Sequence, residues 1–213
     1  GKEIFGGLGM NVFNPALVGR AFLAAAYPVA ITTWQQPNKV FGFLPDAASS
    51  ATPLAAARFE GVREPLLNAF FGQIQGCIGE TSALLLLLGA ALLLAVGVIP
   101  WRQVLTYLGT VFVLTGVFYL IDPTAYAAPW YHLLTGGLMM GALYMATDMV
   151  TSPFTPWGHV IFGAGAGLLV VIIRLFGGFP EGVMYSILLM NAVTPIINRY
   201  VNTTTFGKKE VAR

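Results

Sequence analysis

The stretch Leu44-Pro45-Asp46-Ala47-Ala48-Ser49-Ser50-Ala51-Thr52-Pro53-Leu54 sets one threonine among small residues. Nothing bulky beside Thr52 in the sequence shields its hydroxyl. Pro53 biases the residue before it towards extended backbone. These residue types predict an exposed turn that presents a hydroxyl. Taken alone they also fit a Ser/Ala-rich linker, which is the commoner reading of such a stretch.

Other residues could also do chemistry. Asn14-Pro15 precedes an apolar run and reads as an N-cap followed by proline at the first helical position. That is either a plain helix start or a broken helix whose N-terminus points into the centre of a membrane, as in transporters. Gly76-Cys77-Ile78-Gly79-Glu80, before another apolar run, is a candidate for a second such element. The pair would then fit inverted-repeat logic, with Glu80 facing a cavity. Ionisable groups in lipid are expensive and are functional suspects by default. Glu80, Asp122, Asp148 and Glu181 all fall near the ends of apolar runs. A solvated helix end accounts for Asp122 and Glu181. Asp148 abuts Thr151 and Ser152, and oxygen ligands suit a hard cation. Asn14, Glu80 and Asp148 are therefore the candidates for an ion or flavin path. His132 and His159 lie at span ends on opposite sides of the membrane, which argues against a shared metal or haem site. The single cysteine, Cys77, excludes an internal disulfide or a cysteine-ligated cluster and reads as a small buried apolar residue. Gly6-Gly7-Leu8-Gly9 follows no strand and reads as close packing rather than a phosphate loop. No catalytic acid, base or nucleophile and no metal site emerges.

The elements that position these residues are apolar. Of 213 residues, 56% are hydrophobic and 9% charged, against roughly 25% charged in soluble domains. Such a chain cannot cover its surface with polar groups, so its solvent is lipid. A net charge of +2 gives no reason to expect nucleic acid. Measured against the roughly 20 residues that cross a bilayer, the spans fall at about 83–99, 103–121, 131–147, 160–175 and 182–197. A further one at 16–32, short and holding Arg20 and Pro28, is either a span or a broken helix. The expectation is an all-α, polytopic transmembrane bundle in one membrane domain, with inverted repeats and broken helices as its variant form. Trp101, Trp130 and Trp157 sit at span ends, where amphipathic rings prefer the interface. Glycines 136, 137 and 141 in one span, and 163, 165 and 167 in another, predict close helix packing. Residues 33–82 form a long polar connection, and long connections are usually functional. Arg199, Lys208, Lys209 and Arg213 place the C-terminus in the cytoplasm. Counting back puts Arg102 inside and the 33–82 loop, with Thr52, outside. Arg174 and the three basic residues of the loop run against that assignment.

Four stretches together carry a resemblance. Asp46 to Thr52 resembles the flavinylation motif Asp-x-x-Ser-(Gly/Ala/Ser)-Ala-Thr. Phe5-Gly6-Gly7-Leu8-Gly9-Met10-Asn11-Val12-Phe13-Asn14-Pro15-Ala16 resembles the Gly-Gly-x-Gly-x-Asn-x-x-Asn-Pro-Ala signature of the NqrB/RnfD family. Ala146-Thr147-Asp148-Met149-Val150-Thr151-Ser152-Pro153 is similar to that family's Ala-Thr-Asp-Pro-Val-Ser motif, with Met149 in place of proline. Residues 174–183 and 188–192 look like the D subunit of the Rnf complex. The resemblance implies a membrane subunit of a redox-driven pump. Such a pump couples electron transfer between ferredoxin and NAD to Na⁺ or H⁺ transport in a bacterial or archaeal cell membrane. It implies FMN in phosphoester linkage to Thr52, with Asp46, Ser49, Ser50 and Ala51 as the rest of the attachment motif, and leaves room for a second, non-covalent flavin. It implies a flavin transferase, partner subunits carrying flavin and iron–sulfur centres, and membrane lipid as partners. Family members carry further N-terminal helices, and Gly1 is no initiator, so part of the N-terminus is expected to be missing. The alternatives are an NqrB-like subunit of a Na⁺-pumping NADH:quinone oxidoreductase, a cofactor-free transporter or channel, and a structural scaffold for redox partners.

Overall fold

In the computed structural model the described residues are 1–28, 31, 34–35, 49–50, 52–74, 76–77, 81–177 and 181–201. Nine α-helical segments form among them. They are α1 (Pro15–Ala26), α2 (Pro53–Ala55, widening into a π turn at Ala56–Glu60), α3 (Leu66–Phe71), α4 (Ala83–Val96) and α5 (Trp101–Ile121). After these come α6 (Pro129–Leu134), α7 (Leu138–Met140, widening into a π turn at Gly141–Met145), α8 (Pro156–Phe176) and α9 (Val183–Tyr200). The only ladder among the described residues pairs Trp34–Gln35 with Ser49–Ser50, antiparallel.

Two of these helices, α5 and α8, are long and apolar enough to cross a membrane. At 1.5 Å per residue their 21 residues reach about 32 Å, against a hydrocarbon core of about 30 Å. Their outer faces are apolar: Val113, Leu120, Ile121, Leu168 and Ile172 are exposed, Leu120 at 81%. Leu85, Leu88 and Leu92 make the same kind of surface on α4. Water would charge roughly 25 cal/mol for each such Å² left uncovered, whereas lipid does not.

The expected glycine packing is present in α8. A Cβ on Gly163 would stand 2.7 Å from the Gln103 carbonyl oxygen and 3.0 Å from the Tyr107 amide. One on Gly167 would stand 2.9 Å from the Tyr107 carbonyl oxygen. Main chains meet along this seam, and both numberings rise together, so α5 and α8 run parallel. Helix α9 returns antiparallel, with Met190 against Gly165 and Ile197 against Gly158. Tyr107, Val111, Phe162, Ala166, Val170 and Ile187 fill the core between the three.

Parallel α5 and α8 require the chain between them to recross the bundle. The expected span at 131–147 does this in two pieces. Helix α6 stops at Leu134; Thr135, Gly136 and Gly137 break it; α7 and its π turn complete the crossing. Gly136 sits at φ +70°, a backbone that only glycine adopts freely. The expected continuous helix is thus corrected. Three glycines in eleven residues lower helix propensity, and side chains elsewhere satisfy the freed carbonyls.

Helix α1 is also short. Its 12 residues reach about 18 Å. The Asn14 side-chain oxygen accepts from the amides of Ala16 and Leu17 (3.0 and 3.3 Å), and its Nδ2 donates to the Met145 carbonyl (3.3 Å). Asn191, with its amide oriented to suit its neighbours, accepts from the Asn14 N–H at 3.0 Å. Asn191 lies half-way along α9, so α1 starts deep inside the bundle. Of the two readings of Asn14-Pro15, this geometry matches the broken helix. Residues 78–80, and with them Glu80, lie outside the described residues, as do residues 36–48. The 33–82 connection is not irregular throughout: α2, its π turn and α3 occupy part of it.

Candidate functional site: the Thr52 turn and an adjoining cavity

Thr52 has φ −61° and ψ 152°, the extended backbone its proline neighbour favours. Its Oγ1 accepts from the Ala55 amide at 3.3 Å. Thr-Pro here is an N-cap with proline at the first helical position. The turn was expected to be exposed, but Thr52 is 8% exposed. Small flanking residues let the hydroxyl fold back onto its own helix start, and Pro53 and Leu54 pack inwards beside it. Of the other expected attachment residues, Asp46 and Ala51 lie outside the described residues. Ser49 and Ser50 form the strand paired with Trp34–Gln35.

Three side chains pin this segment to one end of the bundle. The Tyr131 hydroxyl donates to the Pro53 carbonyl at 2.8 Å, a buried contact. Arg58 donates to the carbonyls of Arg174 (2.5 Å), Leu175 (3.4 Å) and Gly177. Arg63 donates to the carbonyls of Pro123, Thr124 and Tyr126 at 3.1–3.5 Å. Those carbonyls lie at the C-terminal end of α8 and just beyond α5, where helices leave acceptors unmet and favour cations. Asp122 shapes the same connector. Its Oδ1 accepts from the Thr124 hydroxyl at 2.6 Å and from the amides of Thr124 and Ala125. These bonds, the Thr124 hydroxyl foremost, hold its carboxyl below the usual carboxylate range.

Arg174 does the same work one layer deeper. It is 2% exposed, and it donates to the carbonyls of His132 (2.6 Å) and Thr135 (3.3 Å). Those are the acceptors released where α6 breaks. The four basic residues that opposed the charge-based orientation include these three arginines, all engaged with backbone oxygen. Their positions report helix capping and carry little information about sidedness. Thr52 therefore stands at the end formed by residues 122–128, 174–177 and 181–182. Arg102, Trp157 and Arg199 stand at the other.

A cavity of about 250 Å³ opens beside the turn, lined by Leu54, Ala57, Arg58, Tyr126, His132 and Arg174 among others. His132 is 5% exposed, and neither ring nitrogen has a hydrogen-bond partner. An unmet buried polar group of this kind calls for an explanation.

The remaining expected path residues are not gathered at Thr52. Asn14 lies deep in the bundle with Asn191. Asp148 lies in the connector at the opposite end, where it accepts from the Thr151 hydroxyl at 3.0 Å. His132 and His159 are likewise at opposite ends. Sequence reading did not select Arg58, Tyr131, His132 or Arg174 as site residues. The one usable signal was Arg174, a charge inside an apolar helix.

Comparison with known proteins decides the family. Residues 1–207 match the model of the NQR2, RnfD, RnfE family. The chain belongs to that family. It is 45% identical to the D subunit of the proton-translocating ferredoxin:NAD(+) oxidoreductase complex of Clostridium ljungdahlii, over 98% of this chain and 65% of the relative. It is 42% identical to the D subunit of the Na(+)-translocating ferredoxin:NAD(+) oxidoreductase complex of Acetobacterium woodii, over 100% of this chain and 64% of the relative. It is also 40% identical to the B subunit of the Na(+)-translocating NADH-quinone reductase of Pseudomonas paraeruginosa, over 100% of this chain and 54% of the relative. The chain thus spans between about half and two thirds of the length of these family members. Membership agrees with the all-helical, lipid-facing architecture: this is a membrane bundle.

Proposed function

We propose that the chain is a membrane subunit of an Rnf-type, ion-translocating ferredoxin:NAD oxidoreductase in a bacterial or archaeal cell membrane. In this reading Thr52 carries FMN in phosphoester linkage, and the subunit acts within a redox-driven pump rather than alone. The attached flavin supplies the electron-accepting and electron-donating chemistry; everything else falls to the chain. Thr52 moors the group at high effective concentration. It is neither acid nor base. Esterification replaces only the hydroxyl hydrogen, so the oxygen can keep the Ala55 amide as its donor. Loss of the phosphate's second charge lowers the cost of holding it against apolar surface.

The observation that carries the reading is the coincidence of motif and place. The Asp46–Thr52 motif ends on a threonine whose segment Tyr131, Arg58 and Arg63 lock to one end of a membrane bundle. We assign that end to the extracytoplasmic side and the C-terminus to the cytoplasm. A flavin transferase attaches the FMN, and partner subunits with flavin and iron–sulfur centres exchange electrons with it. Asn14, which meets Asn191 at the buried start of a half-helix, Glu80, and Asp148, at the cytoplasmic end, are the candidates for the ion path.

The test is the mass of the tryptic peptide from Val40 to Arg58. Produced with the transferase, it should gain the mass of FMN less one water, and Thr52→Ala should abolish the gain. An unmodified wild-type peptide would overturn the flavin assignment. The 40% identity to the B subunit of a Na(+)-translocating NADH-quinone reductase favours a second reading, a subunit of that enzyme. Oxidation of NADH by quinone, rather than of reduced ferredoxin by NAD, would select it.

A further inference from the structure

We propose that the groove between the first turns of α5 and α8 is a binding site for one acidic phospholipid. Arg102 holds its headgroup phosphate, and an acyl chain lies along Leu105 and Val160.

The groove lies at the end of the bundle opposite Thr52. Trp101, Arg102 and Leu105 of α5 and Pro156, Trp157 and Val160 of α8 line it, around about 440 Å³. Its origin is the start of the glycine seam. The main chains meet from Gly163 onwards, against Gln103 and Tyr107. One turn earlier, α8 carries Val160 and Trp157 in place of glycine, and the two helices leave a slot. Thr106 also borders the slot. Its hydroxyl donates back to the carbonyls of Arg102 and Gln103 (2.8 and 3.1 Å), so it brings no free donor to the wall.

The polarity profile of the groove selects its occupant. The inner walls are apolar, and Leu105 is exposed on them, which suits a hydrocarbon chain. The mouth carries a cation. Arg102 is exposed and forms no ion pair among the described residues, and its guanidinium carbon lies 5.4 Å from the centre of the Trp101 ring. A guanidinium matches a phosphate with two parallel N–H bonds. Because α5 and α8 run parallel, both also turn their positive ends towards this mouth. Trp101 and Trp157, both exposed, flank it, and such rings settle at headgroup depth. A cation at the rim, rings at the interface and an apolar slot beneath reproduce the order of groups along a lipid molecule. A helix from another polypeptide would fill the slot but leave the guanidinium unmatched. A zwitterionic lipid brings its own ammonium to the phosphate, whereas an acidic headgroup leaves a net charge for Arg102. This is the end we assign to the cytoplasm, where acidic lipids give the leaflet its negative surface potential.

The experiment uses the full-length subunit, delipidated in detergent and titrated with dioleoyl phosphatidylglycerol or dioleoyl phosphatidylcholine. Native mass spectrometry counts the bound lipid for wild type, Arg102→Gln, Arg199→Gln and Leu105→Trp. Wild type should hold one phosphatidylglycerol about fivefold more tightly than phosphatidylcholine, the preference one basic residue near the surface supplies. Arg102→Gln should abolish that preference. Arg199→Gln removes the same charge from the same end but outside the groove, and should keep it. Leu105 is exposed, so a tryptophan there fills the slot without entering the core, and binding of both lipids should weaken. Equal affinity for the two lipids in wild type overturns the proposal. So does a preference lost alike in Arg102→Gln and Arg199→Gln, which would reflect a general field, and so does undiminished binding in Leu105→Trp. The same measurement on the assembled complex completes the test: a phosphatidylglycerol retained there supports the proposal, and one lost on assembly means that a partner polypeptide occupies the groove and overturns it.

Discussion

Tyr131→Phe is the cleanest probe of how the Thr52 segment is held. The change removes one oxygen and leaves the ring shape intact. Tyr131 is 4% exposed and its hydroxyl is bound to the buried Pro53 carbonyl at 2.8 Å. In the variant that carbonyl loses its partner where water does not replace it, at a cost of about 1–3 kcal/mol. A tenfold change in an equilibrium corresponds to roughly 1.4 kcal/mol, so the segment should open about 5- to 150-fold more often. Arg58 reports the opening. Its guanidinium is tied to three carbonyls at the end of α8, and trypsin can cut after it only when it is released. With cleavage slow relative to reclosing, the rate follows the open population. Limited trypsinolysis in detergent, with the 53–60 segment followed by mass, therefore reads the free energy directly. A rise below about twofold, within the usual scatter of such comparisons, would mean that the hydroxyl does not hold the turn. Thr52 is 8% exposed at rest; under the proposal that it carries FMN, the variant should be flavinylated at least as fast as wild type.

Two further variants test the scaffold. Gly163→Leu should destabilise by about 1–3 kcal/mol or more, because its side chain meets the Thr106 hydroxyl and, beside it, the Gln103 carbonyl and Tyr107 amide of the main chain, which cannot give way. Gly109→Ala, on the open face of α5, should stabilise by up to about 1 kcal/mol; thermal unfolding in detergent compares their signs. Arg20 and Glu181 pair at 3.2 Å with about a quarter of each side chain exposed. Arg20→Met should cost about 1–3 kcal/mol by removing a charged partner of Glu181, and Arg20→Met with Glu181→Met should recover much of it; an equally unstable double variant would show that the ion pair is not what ties α1 to the start of α9.

Much of this architecture was legible in the sequence because lipid enforces simple rules. Runs at 103–121 and 160–175 became α5 and α8 within a few residues, and glycines 163, 165 and 167 did pack helix against helix. The reading faltered where a helix is interrupted. Apolarity at 131–147 is continuous, but the fold breaks it at Thr135 to Gly137. The break is possible only because Arg174, 39 residues away in sequence from Thr135, caps it. Asn14-Pro15 announced a helix start, but its depth depends on Asn191, on another helix. The site divided in the same way. Thr52 is a candidate because of a short local motif. Its clamp from Tyr131, the capping by Arg58 and the cavity at His132 join residues far apart in the chain, and local spacing cannot reveal them. Burial of Thr52 was missed because small neighbours were read as leaving room, whereas here they allow close approach.

The glycine seam between α5 and α8 has a mechanical consequence. Two rods whose main chains interlock cannot slide or roll without prising their peptide groups apart, so they behave as one stiff strut through the protein. Compliance is left to the pieces whose ladders are already cut: the half-helix starting at Pro15, and the pair of fragments on either side of Gly136. A displacement that carried a cargo through this protein would be borne by those joints, with the strut as the fixed frame.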